Sequence, residues 1–327
     1  MDRADHCVPV NDGVHSDEED EMSCGETPYS VKELPQASES DTLKISSTFN
    51  LYSYPGDHTP DMILISADGI RFYIHRKQLS DASDTYWSNL LISLTGVIYP
   101  SSLRVVEDSP TLNAVLHVIY RLSLKDYSPS LMTLEAAVDS LKTYGIPLKS
   151  NISPGMPLYD ELVVKLPSMA LEVYTIAAEN DLFELACEAS KHLLSLHVSS
   201  LTPETTVRIG PVYVCMLCDL LMERAYVLKR LVIQPPEQHA PTATCGTHVY
   251  RELLLDWAKI AYNLVFGSSL DISPELLNAT LRPLDLLHSC PACVQSIDRR
   301  IQDVVSRWAL TPNSVCVNSR GIYTTLP

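Results

Sequence analysis

The sequence predicts an α+β protein: a short sheet flanked by helices over about residues 58–150, then an all-helical region over about 155–312. Three observations carry this. Asp61 to Leu79 reads as a β-hairpin running into helices. From Ser109 to Trp308, apolar residues recur at helical spacing. Glycine is scarce, 11 in 327 residues, and that length suits two domains better than one.

The hairpin comes first. Met62 to Ile65 is an apolar run of strand length, and Asp68-Gly69 follows it as a turn, since glycine takes φ > 0 without a Cβ clash. Phe72 and Ile74 then alternate with Arg71, Tyr73 and His75, the period of a half-buried strand. Arg76–Leu79 and Ser83–Leu91 are short helical stretches, and Leu103 to Val106 reads as a third strand.

The helices follow in order. Ser109 with Pro110 looks like a cap and first turn, followed by Leu112, Val115, Leu116 and Ile119 on one face. Leu134, Ala137, Val138 and Leu141 repeat that pattern, and Gly145 and Pro147 close the helix. Two amphipathic helices occupy 169–196. A long buried helix is expected over Val212–Leu231, broken by the proline-rich loop Gln234–Pro241. Tyr250–Val265, Glu275–Leu287 and a last helix through Val294, Ile297, Ile301, Val304 and Trp308 complete the pattern. Residues 313–327 read as a loose tail.

Charge narrows the function. The net charge is −16, of which −9 falls in residues 1–50. Residues 1–48 are too polar to offset their ordering entropy and read as a disordered acidic tail. No cluster of Lys and Arg offers a nucleic-acid surface. No unbroken run of 18 apolar residues argues for a membrane span, and the acidic N-terminus lacks the apolar stretch of a signal peptide. The nine cysteines are therefore expected to be reduced, with metal binding their more plausible special use.

Asp61-x-Ile63-Leu64, Ser66-x-Asp68-Gly69-x-x-Phe72-x-Ile74-His75-Arg76-x-x-Leu79 and Ser83-x-x-Tyr86 resemble, in order and spacing, the opening of a BTB/POZ domain. More narrowly, the chain resembles fungal BTB proteins with a helical, cysteine-bearing C-terminal region, over about residues 60–190. The resemblance implies a structural role for His75, and a dimer interface that includes Asp61 and Arg76. It also implies self-association, to which the apolar cluster Trp87, Leu90 and Leu91 would contribute. One departure is Arg121-Leu-Ser-Leu-Lys125, where many BTB domains have Thr-Gly and a further strand, so the sheet is expected to be shorter at that edge.

One constellation has metal-ligand spacing. Cys245-x-x-His248 and Cys290-x-x-Cys293 each place two soft donors where one turn of chain can reach two corners of a tetrahedron. They are the expected ligands of one structural zinc. Cys215-x-x-Cys218 has the same spacing but lies in an apolar helical run, where thiols pack as small hydrophobes; these two are the alternative partners for Cys290 and Cys293. No phosphate loop, nucleophile elbow or His-Glu-x-x-His is present, so no enzyme is expected.

The expected function is protein–protein interaction. The acidic N-terminus and the cysteines expected to be reduced suggest an intracellular protein, cytoplasmic or nuclear, and the resemblance implies a homo-oligomer acting as an adaptor on a cullin-type ubiquitin ligase scaffold. The alternative is a transcriptional or chromatin-associated regulator that works through the same kind of contact. Neither reading involves nucleic acid or membrane as a partner.

Overall fold

A computed structural model describes residues 44–53, 59–83, 101–242, 245–267, 269–284 and 290–316. These residues belong to one compact unit, Leu43–Pro327. Trp87, Leu90, Leu91 and all but Ser83 of the expected helix at Ser83–Leu91 lie outside the described residues.

The strands are β1 (Met62–Ile65), β2 (Arg71–Ile74) and β3 (Ser101–Arg104), in the order β2-β1-β3. β1 and β2 are antiparallel with Met62 opposite Ile74 and Leu64 opposite Phe72; β3 runs parallel to β1. That register turns Met62, Leu64, Phe72 and Ile74 to the core, as the alternation predicts. β3 begins two residues earlier than expected, and Val106 is exposed. In the hairpin turn Gly69 takes φ +83°. Asp68 accepts hydrogen bonds from the hydroxyls of Ser66 and Ser109, both at 2.6 Å. Burial opposes its ionisation, but those bonds outweigh the burial and hold its carboxyl below the usual range. Residues 44–49, expected to belong mainly to the disordered tail, run beside β2 instead. Ser46 N–H donates to the Arg71 carbonyl and Tyr73 N–H to the Phe49 carbonyl, each at 2.9 Å. Phe49 is fully buried, against Phe72, His117 and Tyr120. The acidic stretch 1–43 lies outside the described residues.

Helix α1 (Arg76–Ala82) follows β2 directly. α2 (Ser109–Ile119) is capped by Asp108, whose carboxylate accepts from Thr111 N–H at 3.0 Å; the expected cap, Ser109, is the first helical residue. α3 (Leu131–Thr143) ends in a Schellman motif, with Ile146 N–H bonded to Leu141 O and Gly145 N–H to Lys142 O. Residues 121–130 between these helices form turns, so the sheet has no fourth strand there.

α4 (Leu148–Asn151) is a single turn. α5 (Pro157–Glu179) starts well before the expected position 169. It is two helices joined at a kink, Met169 at φ −137°, ψ 42°, two residues after Pro167, whose missing N–H breaks the ladder. α6 (Phe183–Ser190) packs back on it. α7 (Pro203–Ile233) also bends, at Gly210 (φ 76°), just before Pro211. α8 (Thr247–Gly267), α9 (Pro274–Leu281) and α10 (Pro291–Ala309) match the expected helices closely, as far as α9 is described.

Two apolar cores result. The first spans Phe49 to Leu221 and is continuous across 150–155; the second gathers Leu228 to Trp308 from α7, α8, α9 and α10. α7 enters both cores. Its best 18-residue window has a mean hydropathy of 1.4, so by length and composition it could cross a bilayer. Asp219 interrupts its apolar run, so no unbroken stretch of 18 apolar residues marks it. The helix is not buried all round: Met222, Tyr226 and Ile233 are exposed.

The C-terminal segment corrects two expectations. Residues 313–316 are not loose: Val315 is buried in the first core, and its N–H donates to Ser190 Oγ at 3.0 Å. Cys187 of α6 and Cys316 form a disulfide, with Cα atoms 5.3 Å apart across 129 residues of sequence. Cysteines expected to be reduced are here joined, because the fold brings the two backbones within disulfide range.

Candidate metal centre

The first turn of α10 supplies two donors. Cys290 is the N-cap, Pro291 fills the first helical position, and Cys293 sits one turn in. Cys293 is buried and Cys290 half-buried. The amide N–H groups of Cys293 and Ala292 point at the Cys290 sulfur and favour its thiolate, bringing the thiol down to about 7. Burial pushes the Cys293 thiol up, with the neighbouring Cys245 adding to it, to about 12.

The loop between α7 and α8 supplies the other two. Thr242 and Cys245 exchange backbone bonds of 3.0 and 3.3 Å, which fix Cys245 with its buried sulfur beside α10. The preceding stretch is pinned along α10 by Ser296 Oγ donating to Glu237 O at 2.6 Å and Arg300 Nε to Gln234 O at 3.0 Å. Tyr250 Oη of α8 donates to Pro236 O at 3.2 Å. This routing delivers His239, not His248, to the cluster. His248 falls in the exposed first turn of α8 and turns back toward Gly246. Sequence spacing favoured His248 because it completes a Cys-x-x-His pair; His239 precedes Cys245 by six residues, and only the pinned loop closes that gap.

His239, Cys245, Cys290 and Cys293 place one donor atom each within 4.8 Å of all the others. His239 Nε2 lies 3.2 Å from Cys293 Sγ and 3.5 Å from Cys290 Sγ, and Cys245 Sγ lies 3.6 Å from Cys293 Sγ. A tetrahedral zinc with bonds of about 2.3 Å to sulfur and about 2.0 Å to nitrogen sets S···S edges near about 3.8 Å and S···N edges near about 3.5 Å. The cluster therefore fits such an ion. His239 Nδ1 lies 2.7 Å from the Ala240 carbonyl. A proton on Nδ1 directed at that oxygen leaves the Nε2 lone pair for the metal, the usual outer-shell arrangement.

The other candidate residues lie elsewhere. Cys215 is exposed and Cys218 half-buried on α7, outside this cluster and not packed as core thiols. Asp61 Oδ1 accepts the backbone N–H of Arg76 at 2.8 Å and so caps α1, while the Arg76 guanidinium bonds the Ser101 hydroxyl. His75 is anchored by its N–H donating to Tyr120 Oη at 2.8 Å. No family model, curated protein or solved structure matches the chain.

Proposed function

We propose that this chain is a non-catalytic protein-interaction protein whose C-terminal bundle is closed by one structural zinc ion. The observation that carries the reading is the Cys₃His cluster, with three of its six edges at 3.2 to 3.6 Å, all four donors within 4.8 Å of one another and every donor from a protein side chain. Four protein ligands complete a tetrahedron and leave no position for an activated water, which a catalytic zinc requires. The zinc joins the loop before α8 to the first turn of α10, so it sets the shape of the bundle.

For the N-terminal part the reading is BTB/POZ-type self-association, with adaptor work on a cullin-type scaffold. It is supported by the hairpin, the Asp61 cap on α1 and the His75–Tyr120 anchor, which give the residues of the resemblance structural work. Elemental analysis of untagged full chain should find one zinc per chain, and Cys290→Ser should lose it; zinc-free wild type overturns the metal reading. Light scattering at tens of micromolar should give a dimer that Trp87→Asp dissociates, and a monomeric wild type overturns self-association. Failure of a purified cullin scaffold to bind the full chain removes the adaptor role.

A further inference from the structure

The second bundle carries another feature, away from the Cys/His cluster. α7 and α8 run antiparallel, since Trp257 Nε1 donates to Val232 O at 2.7 Å while the earlier Tyr250 bonds the later Pro236. Between them lies a groove of about 390 Å³. Val232, Leu254, Trp257 and Val265 line it, and Ala258 and Ala261 keep it open by filling little of the space. At its rim Ile233, Tyr262 and Phe266 are 64%, 64% and 74% exposed. The Tyr262 and Phe266 rings lie 4.8 Å apart.

The only charged residue in this lining is Lys229. It forms no ion pair with any described residue. Lys229 is exposed, at the edge of the apolar trough. The volume falls in the range of small-ligand sites, roughly 300–1,000 Å³. An apolar trough with a single cation is complementary to a long apolar tail that ends in a single anion.

We propose that this groove binds a long-chain fatty acid, its tail along α8 and its carboxylate paired with Lys229. The site uses none of the Cys/His donors, so an absent zinc and an absent ligand are read by separate measurements.

The test is calorimetric titration of the full chain with dodecanoate below its micelle concentration, beside dodecyltrimethylammonium, which has the same tail and the opposite charge. One saturable site is expected, preferring the anion by about tenfold or more. Lys229→Glu should cost about tenfold or more in affinity. Ala261→Phe should block binding while helical circular dichroism stays unchanged. Absence of saturable binding up to about 1 mM overturns the proposal. So does equal binding of the two amphiphiles, or an unaltered Lys229→Glu variant, either of which means apolar adsorption only. If Phe266→Asp converts a dimer to a monomer, a second copy covers the groove and the proposal also fails.

Discussion

The region from Phe49 to Leu221 and the region from Leu228 to Trp308 solve the same problem with different materials. Among the described residues the first buries 42 apolar side chains in one cluster and the second 14. The first rests mainly on packing and a small sheet, with a few buried bonds such as Tyr174 Oη donating to Tyr213 O at 2.8 Å. The second relies on polar pegs that cross between elements. Trp257 Nε1 bonds Val232 O, and Trp308 Nε1 bonds Ile272 O at 2.8 Å. Buried Arg224 stacks on Trp308 at 4.3 Å and donates to the carbonyls of Leu270, Thr311 and Pro312. The Cys/His cluster closes the far end of this bundle. A small core leaves little margin against conformational entropy, and metal ligation is the common remedy.

The comparison is broken most sharply at the cluster. Cys290→Ser, or chelation of the proposed zinc, should destabilise the second bundle by more than about 3 kcal/mol, because a structural metal's binding energy is itself folding energy. Hydrogen exchange should accelerate across α8 and α10 and leave α2 and α3 protected. Cys215→Ser should change neither the metal content nor the exchange. A uniform loss of protection across both cores would contradict the division.

The next largest effect belongs to the disulfide, which ties the end of the chain after α10 back to the first core. Cys316→Ser should cost about 2–5 kcal/mol under oxidising conditions, as expected for a loop of this length. With dithiothreitol present, wild type and variant should have the same unfolding midpoint. A difference that persists in reductant would assign the effect to packing.

A smaller effect sharpens the description of the first core. Arg121 ends α2 in the left-handed position, φ 55°, with Leu122 N–H bonded to His117 O. Glycine fits that conformation without the Cβ penalty, so Arg121→Gly should raise stability by about 0.5–1 kcal/mol in a denaturant titration. A loss would show that the Arg121 side chain contributes more than its backbone strain costs.

The smallest effect is one of pH. Burial holds His117 below its usual value of 6.5, partly offset by its bond to the Asn113 carbonyl. The unfolded chain then binds a proton that the folded chain resists. His117 therefore contributes stability that is complete above about pH 6.5 and is lost as pH falls toward the lowered folded value. Exchange rates of α2 amides between pH 7.5 and 5 should show this slope, and His117→Gln should flatten it.

Much of this architecture was legible along the chain. The hairpin turn at Asp68-Gly69, the inward face of Phe72 and Ile74, the Gly145 helix end and the limits of α8 and α10 all depend on contacts within a few residues. Alternation, helical spacing and turn chemistry report such contacts directly. Cys245, Cys290 and Cys293 were found for the same reason, since a Cys-x-x-Cys or Cys-x-x-His pair is a local pattern.

What the sequence by itself determined is therefore the local grammar: which stretches become strand or helix, which face is apolar, and which thiols have metal-ligand spacing. The tertiary structure alone decided how distant stretches meet. It placed His239 at the cluster in place of His248, because bonds from Ser296, Arg300 and Tyr250 route the loop past the start of α10. It joined Cys187 to Cys316 and buried Val315 more than a hundred residues from its partner Ser190. It also made α7 the shared wall of two cores. Periodicity carries no information about which element lies opposite, because partner choice is set by long-range packing and loop routing, neither of which leaves a mark in neighbouring residues.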